Sequence, residues 1–141
     1  MDLRLVIEGA AFTIYAMEMG ETLHQFLADL EQSDLKEHDR ILARLDQLAE
    51  RGASRRRDEF NNLGGGLYEA KTASGSRVVF FYEQNRIVIC THGFVKKSRK
   101  TPKRLLRAAR DRKQLYEAAR RMGEAVKVIR SNAQEKPRRM P

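Results

Sequence analysis

Three strand-forming runs follow one another almost without a break: Leu67 to Thr72, Arg77 to Glu83 and Arg86 to His92. Ala73 to Ser76 separate the first pair and only Gln84 and Asn85 the second, connections short enough to make the pairing antiparallel. The rest of the chain must be arranged around this meander. Its middle run, Val78-Val79-Phe80-Phe81-Tyr82, has no polar alternation, so both faces are covered and the run belongs inside the sheet. Cys90, embedded in the third run, reads as a buried strand residue. As the single cysteine it permits neither an internal disulfide nor a cysteine-based metal site.

Two helices precede the meander. Leu23, Phe26, Leu27 and Leu30 form one apolar stripe on a helix from about Thr22 to Glu31. A second helix starts after Ser33 as N-cap, carries Ile41, Leu42, Leu45, Leu48 and Ala49, and ends at Gly52. Phe12 to Met17 suits a strand, and Leu3 to Ile7 is either another strand or an added arm. A length of 141 residues fits one domain, expected here over 1–118 with 1–10 as the arm. Thr101 and Pro102 open a third helix by capping and by a first-turn proline. Residues 119–141 read as a basic extension, helical at first and mobile from Ser131 onward. Gly64, Gly65 and Gly66 read as a turn, since no Gly-Lys-Ser/Thr ending accompanies them. No run approaches the roughly 20 apolar residues of a membrane helix and no basic leader opens the chain, so a cytoplasmic protein is expected.

Charge is segregated along the sequence. Residues 1–50 hold 4 Lys and Arg against 11 Asp and Glu, a net of −7; residues 51–141 hold 24 against 8, a net of +16. From Lys96 to Lys113 ten cations oppose one anion, Asp111. A helix so nearly single-signed repels itself unless something anionic covers it, and a polyanion gains affinity through counterion release. Nucleic acid is the partner this pattern favours.

The residue types then narrow the chemistry. His24, His38 and His92 are scattered without metal-ligand spacing, so no metal site is expected; His24 and His38 read as helix surface residues. Phosphodiester cleavage remains open to RNA, whose ribose 2′-OH attacks the adjacent phosphorus once it is aligned, deprotonated and given cations for the developing charge. Lys71, Arg77, His92, Lys96 and Lys97 fall at strand ends or on the loop beyond, where a sheet can gather them around one phosphate. A lysine crowded by cations becomes a usable base, whereas an arginine serves as a clamp. Tyr68 and Tyr82 stand between base stacking and core packing, while Phe80, Phe81 and Phe94 read as core. Arg99, Lys100, Lys103, Arg104 and Arg107 are candidate RNA-backbone contacts.

Leu63-Gly64-Gly65-Gly66-Leu67-Tyr68-Glu69, Arg77-Val78-Val79-Phe80-Phe81-Tyr82, His92-Gly93-Phe94-Val95-Lys96-Lys97-Ser98 and Lys100-Thr101-Pro102, in that order and spacing, resemble the HigB-like, phage-derived branch of the RelE/ParE toxin superfamily. The resemblance covers about residues 11–118. It implies a RelE-like α+β fold: an N-terminal helical hairpin packed on a small, mainly antiparallel sheet, with a basic C-terminal helix. It also implies the toxin of a type II toxin–antitoxin pair, a metal-independent, cofactor-free endoribonuclease that cuts translated mRNA on the ribosome. Arg77 matches the arginine that contacts the scissile phosphate, Lys71 falls near the basic position of the preceding strand, and Lys96 and Lys97 match the basic pair after the last strand. Where relatives place a terminal tyrosine or histidine, this chain runs on into a helix holding Tyr116, which also reads as a packing residue, so the general acid stays unassigned.

The resemblance further implies a cognate antitoxin, a small partner protein with acidic residues for which a helix-turn-helix is one expected form. Two other readings stay open. The ParE branch inhibits DNA gyrase, so likeness of fold does not by itself give RNA cleavage. A noncatalytic basic protein could hold nucleic acid through the same helix.

Overall fold

A computed structural model describes residues 1–96 and 101–130. Its strands are β1 (Asp2–Glu8), β2 (Thr13–Met17), β3 (Phe60–Gly64), β4 (Leu67–Lys71), β5 (Ser76–Glu83), β6 (Ile87–Val95) and β7 (Lys127–Ile129). Its helices are α1 (Leu23–Ser33), α2 (Leu35–Arg51) and α3 (Lys103–Arg121). One seven-stranded sheet runs in the order β3-β4-β5-β6-β2-β1-β7. The meander forms as its short turns require, β4, β5 and β6 pairing antiparallel in sequence. At the β5–β6 turn Asn85 and Arg86 adopt positive φ, 65° and 60°.

The expected N-terminal helical hairpin on a small, mainly antiparallel sheet is not what forms. Two strands precede the helices, and the sheet is large and mixed: β2 lies parallel to β6, and β7 parallel to β1. The reason lies in β2, where Ile14, Ala16 and Met17 are all buried. A strand apolar on both faces needs neighbours on both edges, and β6 and β1 supply them. Past α3 the chain does not continue as a helix to Ile129; it turns at Gly123, φ 73°, and adds β7 beside β1.

Two cores result, one on each face. On one, Leu23, Leu27 and Leu30 of α1 and Ile41, Leu45 and Leu48 of α2 pack against Ile14, Val78, Phe80, Val88 and Cys90. On the other, Ala109 and Tyr116 of α3 pack against Leu3, Met17, Leu67, Val79, Phe81 and Ile89. β5 feeds both, with Val78, Val79 and Phe80 fully buried. Where α1 meets β6 the approach is so close that a Cβ on Gly93 would lie 2.5 Å from Phe26 Cδ2.

The caps differ from expectation in detail. Thr22 caps α1 by accepting from Gln25 N. Asp34, rather than Ser33, caps α2 by accepting from Glu37 N, while the Ser33 hydroxyl turns back to Asp29 O. Pro102 occupies the N-cap position of α3 with no side-chain cap bond. His38, expected at the surface, is buried beside Asp39, and His24 is partly buried with Nδ1 enclosed. No helix among the described residues is long and apolar enough to cross a membrane.

One buried carboxylate ties the helical layer to the sheet. Glu37, 4% exposed, accepts the hydroxyls of Thr72 and Ser76 and, at 3.3 Å, the Ser76 backbone N–H. Burial alone would raise its pKa, but these bonds, with help from Ser74 and Arg40, hold it down at about 2. A carboxyl depressed when folded contributes stability that is complete above its unfolded value of 4.5 and disappears as pH falls toward 2. At 1.36 kcal/mol per pH unit the contribution is roughly 3 kcal/mol. Glu37→Gln is therefore expected to lose roughly 2–3 kcal/mol at neutral pH and to flatten the acid limb of stability between pH 5 and 2, read by urea denaturation.

Candidate phosphate-binding site

Strand parity decides which side chains meet. On β4, Leu67 packs into the α3-side core and Glu69 and Lys71 share its parity; Tyr68 and Ala70 face α1 and α2. On β5, Arg77 shares the parity of Val79 and Phe81, again on the α3 side. On β6 the register shifts by one residue between Val79 and Phe80, at Thr91. The bulge brings His92 opposite Val79 and Phe94 opposite Arg77, so both join the α3 side. Lys71 stands directly across from Arg77.

The β4–β5 turn holds this group together. Arg77, 8% exposed, donates through Nη1 to Thr72 O at 3.0 Å and Ser76 O at 2.9 Å. The Lys96 backbone N–H donates to Gly75 O at 2.7 Å. Gly75 has φ +116°, and a Cβ there would lie 3.1 Å from Lys96 O, so the turn needs glycine twice over. The same five-residue turn thus fixes an arginine on one strand and a lysine at the end of another.

Burial pulls the Arg77 guanidinium below its usual value, against Glu69 and Glu37, yet an arginine remains charged. Lys96 is partly exposed, and its pKa is lowered by desolvation and then by Arg77 and Lys71, with Glu69 opposing. Lys71 is fixed at its tip, Nζ donating to Arg57 O at 2.9 Å. His92, 6% exposed, meets Thr91 Oγ1 through Nδ1 at 3.1 Å and stacks on Phe94 at 5.8 Å, while Nε2 is buried without a partner. Desolvation, then Arg112, lowers its pKa to about 4, so it is neutral at physiological pH.

Tyr68 and Tyr82 lie on the other face. They meet edge-on at 5.2 Å and pack with Phe80, Tyr82 also touching Phe12. The sheet separates them from Arg77, so they do not share a site with the cations. Lys103, Arg104 and Arg107, joined by Arg110, are exposed on α3 and carry no ion pair among the described residues. Arg112 is committed instead, donating to Thr91 O at 2.7 Å. Lys97, Arg99 and Lys100, and the tail expected to be mobile from Ser131, lie outside the described residues.

Tyr116 is a docking residue. Its hydroxyl donates to Glu83 Oε2 at 2.6 Å and its ring lies 5.5 Å from Phe81. Glu83 ends β5 and Arg77 lies near its start, and six residues of strand span about 20 Å. Sequence reasoning passed over Glu69, which is 2% exposed and 3.8 Å from Arg77 Nε. The signal was there: Glu69 is two residues from Lys71 and shares its face.

Residues 28–114, from within α1 to within α3, match the profile of the family described as Phage derived protein Gp49-like (DUF891). No curated protein matches the chain.

Two measurements check this geometry. The His92 ring proton should titrate with a midpoint near pH 4 by NMR, and a midpoint near 6.5 would mean an open imidazole. Tyr116→Phe should cost roughly 1–2 kcal/mol by thermal unfolding while leaving the resonances of Arg77 and Lys96 in place.

Proposed function

The chain belongs to the Gp49-like family of phage-derived proteins, and from that premise we propose that it is the toxin of a type II toxin–antitoxin pair, an endoribonuclease that cuts messages being translated on the ribosome. The observation that carries this reading is the turn from Thr72 to Ser76, whose carbonyls hold the Arg77 guanidinium and the Lys96 backbone N–H, with Lys71 paired across from Arg77. Three cations borne by residues gathered at one turn suit one phosphodiester better than a long backbone. The exposed row Lys103, Arg104, Arg107 and Arg110 leads away from that point as a track for further phosphates.

In the proposed reaction the ribose 2′-oxygen attacks the adjacent phosphorus and the bond to the 5′-oxygen breaks, leaving a 2′,3′-cyclic phosphate and a 5′-oxygen that takes a proton from solvent to become the 5′-hydroxyl. Arg77 and Lys71 neutralise the charge growing on the non-bridging oxygens. Lys96 is assigned as the acceptor of the 2′-proton, because it is partly exposed and desolvation, Arg77 and Lys71 favour its neutral form against Glu69. His92, enclosed and neutral, supports the site from beneath through its contacts with Thr91 and Phe94. The charges come from side chains, so the reaction needs no metal or cofactor. The expected partners are the ribosome, the message and a cognate antitoxin that covers the cationic face.

Expression should arrest growth, and primer extension on translated messages should show cuts that survive a chelator. Lys96→Ala should lower cleavage by about 100-fold with the fold intact, and Arg77→Ala by more. Intact messages with blocked supercoiling would replace this reading with gyrase inhibition. Tight RNA binding without arrest or cuts would leave a passive nucleic-acid-binding protein.

A further inference from the structure

Among the described residues Glu69 is the one acidic side chain paired with Arg77 across the α3 face, and the proposed reaction gives it no task. A carboxyl group so fully removed from water needs protein donors and charges to replace its hydration. Three separate elements supply them. Asn61 on β3 donates its side-chain amide at 3.3 Å, Thr101 just ahead of α3 donates its hydroxyl at 3.4 Å, and Arg77 Nε on β5 approaches to 3.8 Å.

The guanidinium is therefore bracketed. Carbonyls 72 and 76 hold Nη1, Glu69 faces Nε, and Nη2 has no hydrogen-bond partner among the described residues. Nε itself is buried and makes no hydrogen bond at the present separation. Among the described residues its only anionic neighbour within ion-pair distance is the Glu69 carboxylate.

We propose that Glu69 is a positioning residue of this site: it holds Arg77 by the Nε edge so that Nη2 is presented to the phosphodiester, and through Thr101 it fixes the start of α3 relative to the same arginine. The inference rests on the phosphate-cleaving reading and assigns to that site its alignment. A clamp held in place before substrate arrives loses no free energy to reorganisation in the transition state. Glu69 also stands against Arg77 and Lys71 in setting the proton affinity of Lys96, which separates its role from that of a plain packing residue.

The test uses the full chain and the variants Glu69→Gln, Glu69→Asp and Thr101→Val. NMR follows the Arg77 Nε resonance and the titration of Lys96, without and with an uncleavable 2′-deoxy oligonucleotide, and primer extension gives the pH–rate profile. Glu69→Gln should lower kcat by about 100-fold with binding of the 2′-deoxy oligonucleotide little changed. It should also move the Lys96 titration and the pH–rate profile to lower pH, with partial recovery in Glu69→Asp. A folded Glu69→Gln protein with unmoved Arg77 and Lys96 signals and wild-type kcat overturns the proposal. If Glu69→Gln does not fold, Thr101→Val decides: a displaced Arg77 signal supports the alignment, and an unchanged one overturns it. If the wild type cuts no RNA, the cleavage reading fails, and the Arg77 and Lys96 resonances still decide the role of Glu69.

Discussion

The Glu37 carboxylate is the point on which the working parts of this molecule converge. It belongs to α2, but its partners are Thr72 and Ser76, the two ends of the β4–β5 turn. Their backbone carbonyls hold Arg77, and Gly75 between them holds Lys96. A single buried anion therefore orders a turn whose outward side collects cations. The carboxylate lies on one face of the sheet and the guanidinium on the other, so the turn conveys order across the sheet without putting the two charges in contact. That separation leaves Arg77 able to attract a second anion, which a direct bidentate pair with Glu37 would have prevented.

The parts of the fold legible from sequence were those fixed by local chemistry. Two residues between Glu83 and Arg86 leave a hairpin and nothing else, and Gly52 and Thr22 end and start helices as their types dictate. What could not be read was non-local. Nothing in Thr13–Met17 names β6 as its parallel neighbour, and Lys127–Ile129 has too few residues to declare itself a strand before β1 offers an edge. Thr101 shows how tertiary structure overrides a local signal: a residue suited to capping a helix gives its hydroxyl to Glu69 instead.

More of the site was legible than was read, because alternation along a strand was not carried through. Tyr68 and Lys71 are three residues apart, and Arg77 and Tyr82 five, odd separations that put each pair on opposite faces of a regular strand. The aromatic and cationic candidates were thus divisible before any coordinates. Glu69, an even step from Lys71, belonged with the cations by the same rule. The exception is β6, where the bulge at Thr91 reverses the parity, so that Cys90 faces α1 and α2 while His92 faces α3. No pattern in residues 87–95 announces that bulge, and without it His92 would lie beneath the wrong layer.

The split of charge along the chain becomes a split across the sheet. Asp29, Glu31, Asp39, Asp46 and Glu50 are exposed on α1 and α2 and outnumber the exposed Lys36, Arg40 and Arg51 there, whereas Lys103, Arg104, Arg107 and Arg110 are exposed on α3. The seven strands between them keep these charges from pairing, which would cancel the field each side projects. Were the partner a polyanion, as proposed, this asymmetry would draw it to the α3 side and orient the protein before contact. Screening over about 8 Å at physiological salt confines this steering to the last approach. On the proposed reading the exposed cations of α3 would meet the polymer first at that range, and the enclosed cluster around Arg77 would be left to discriminate how a single phosphate sits.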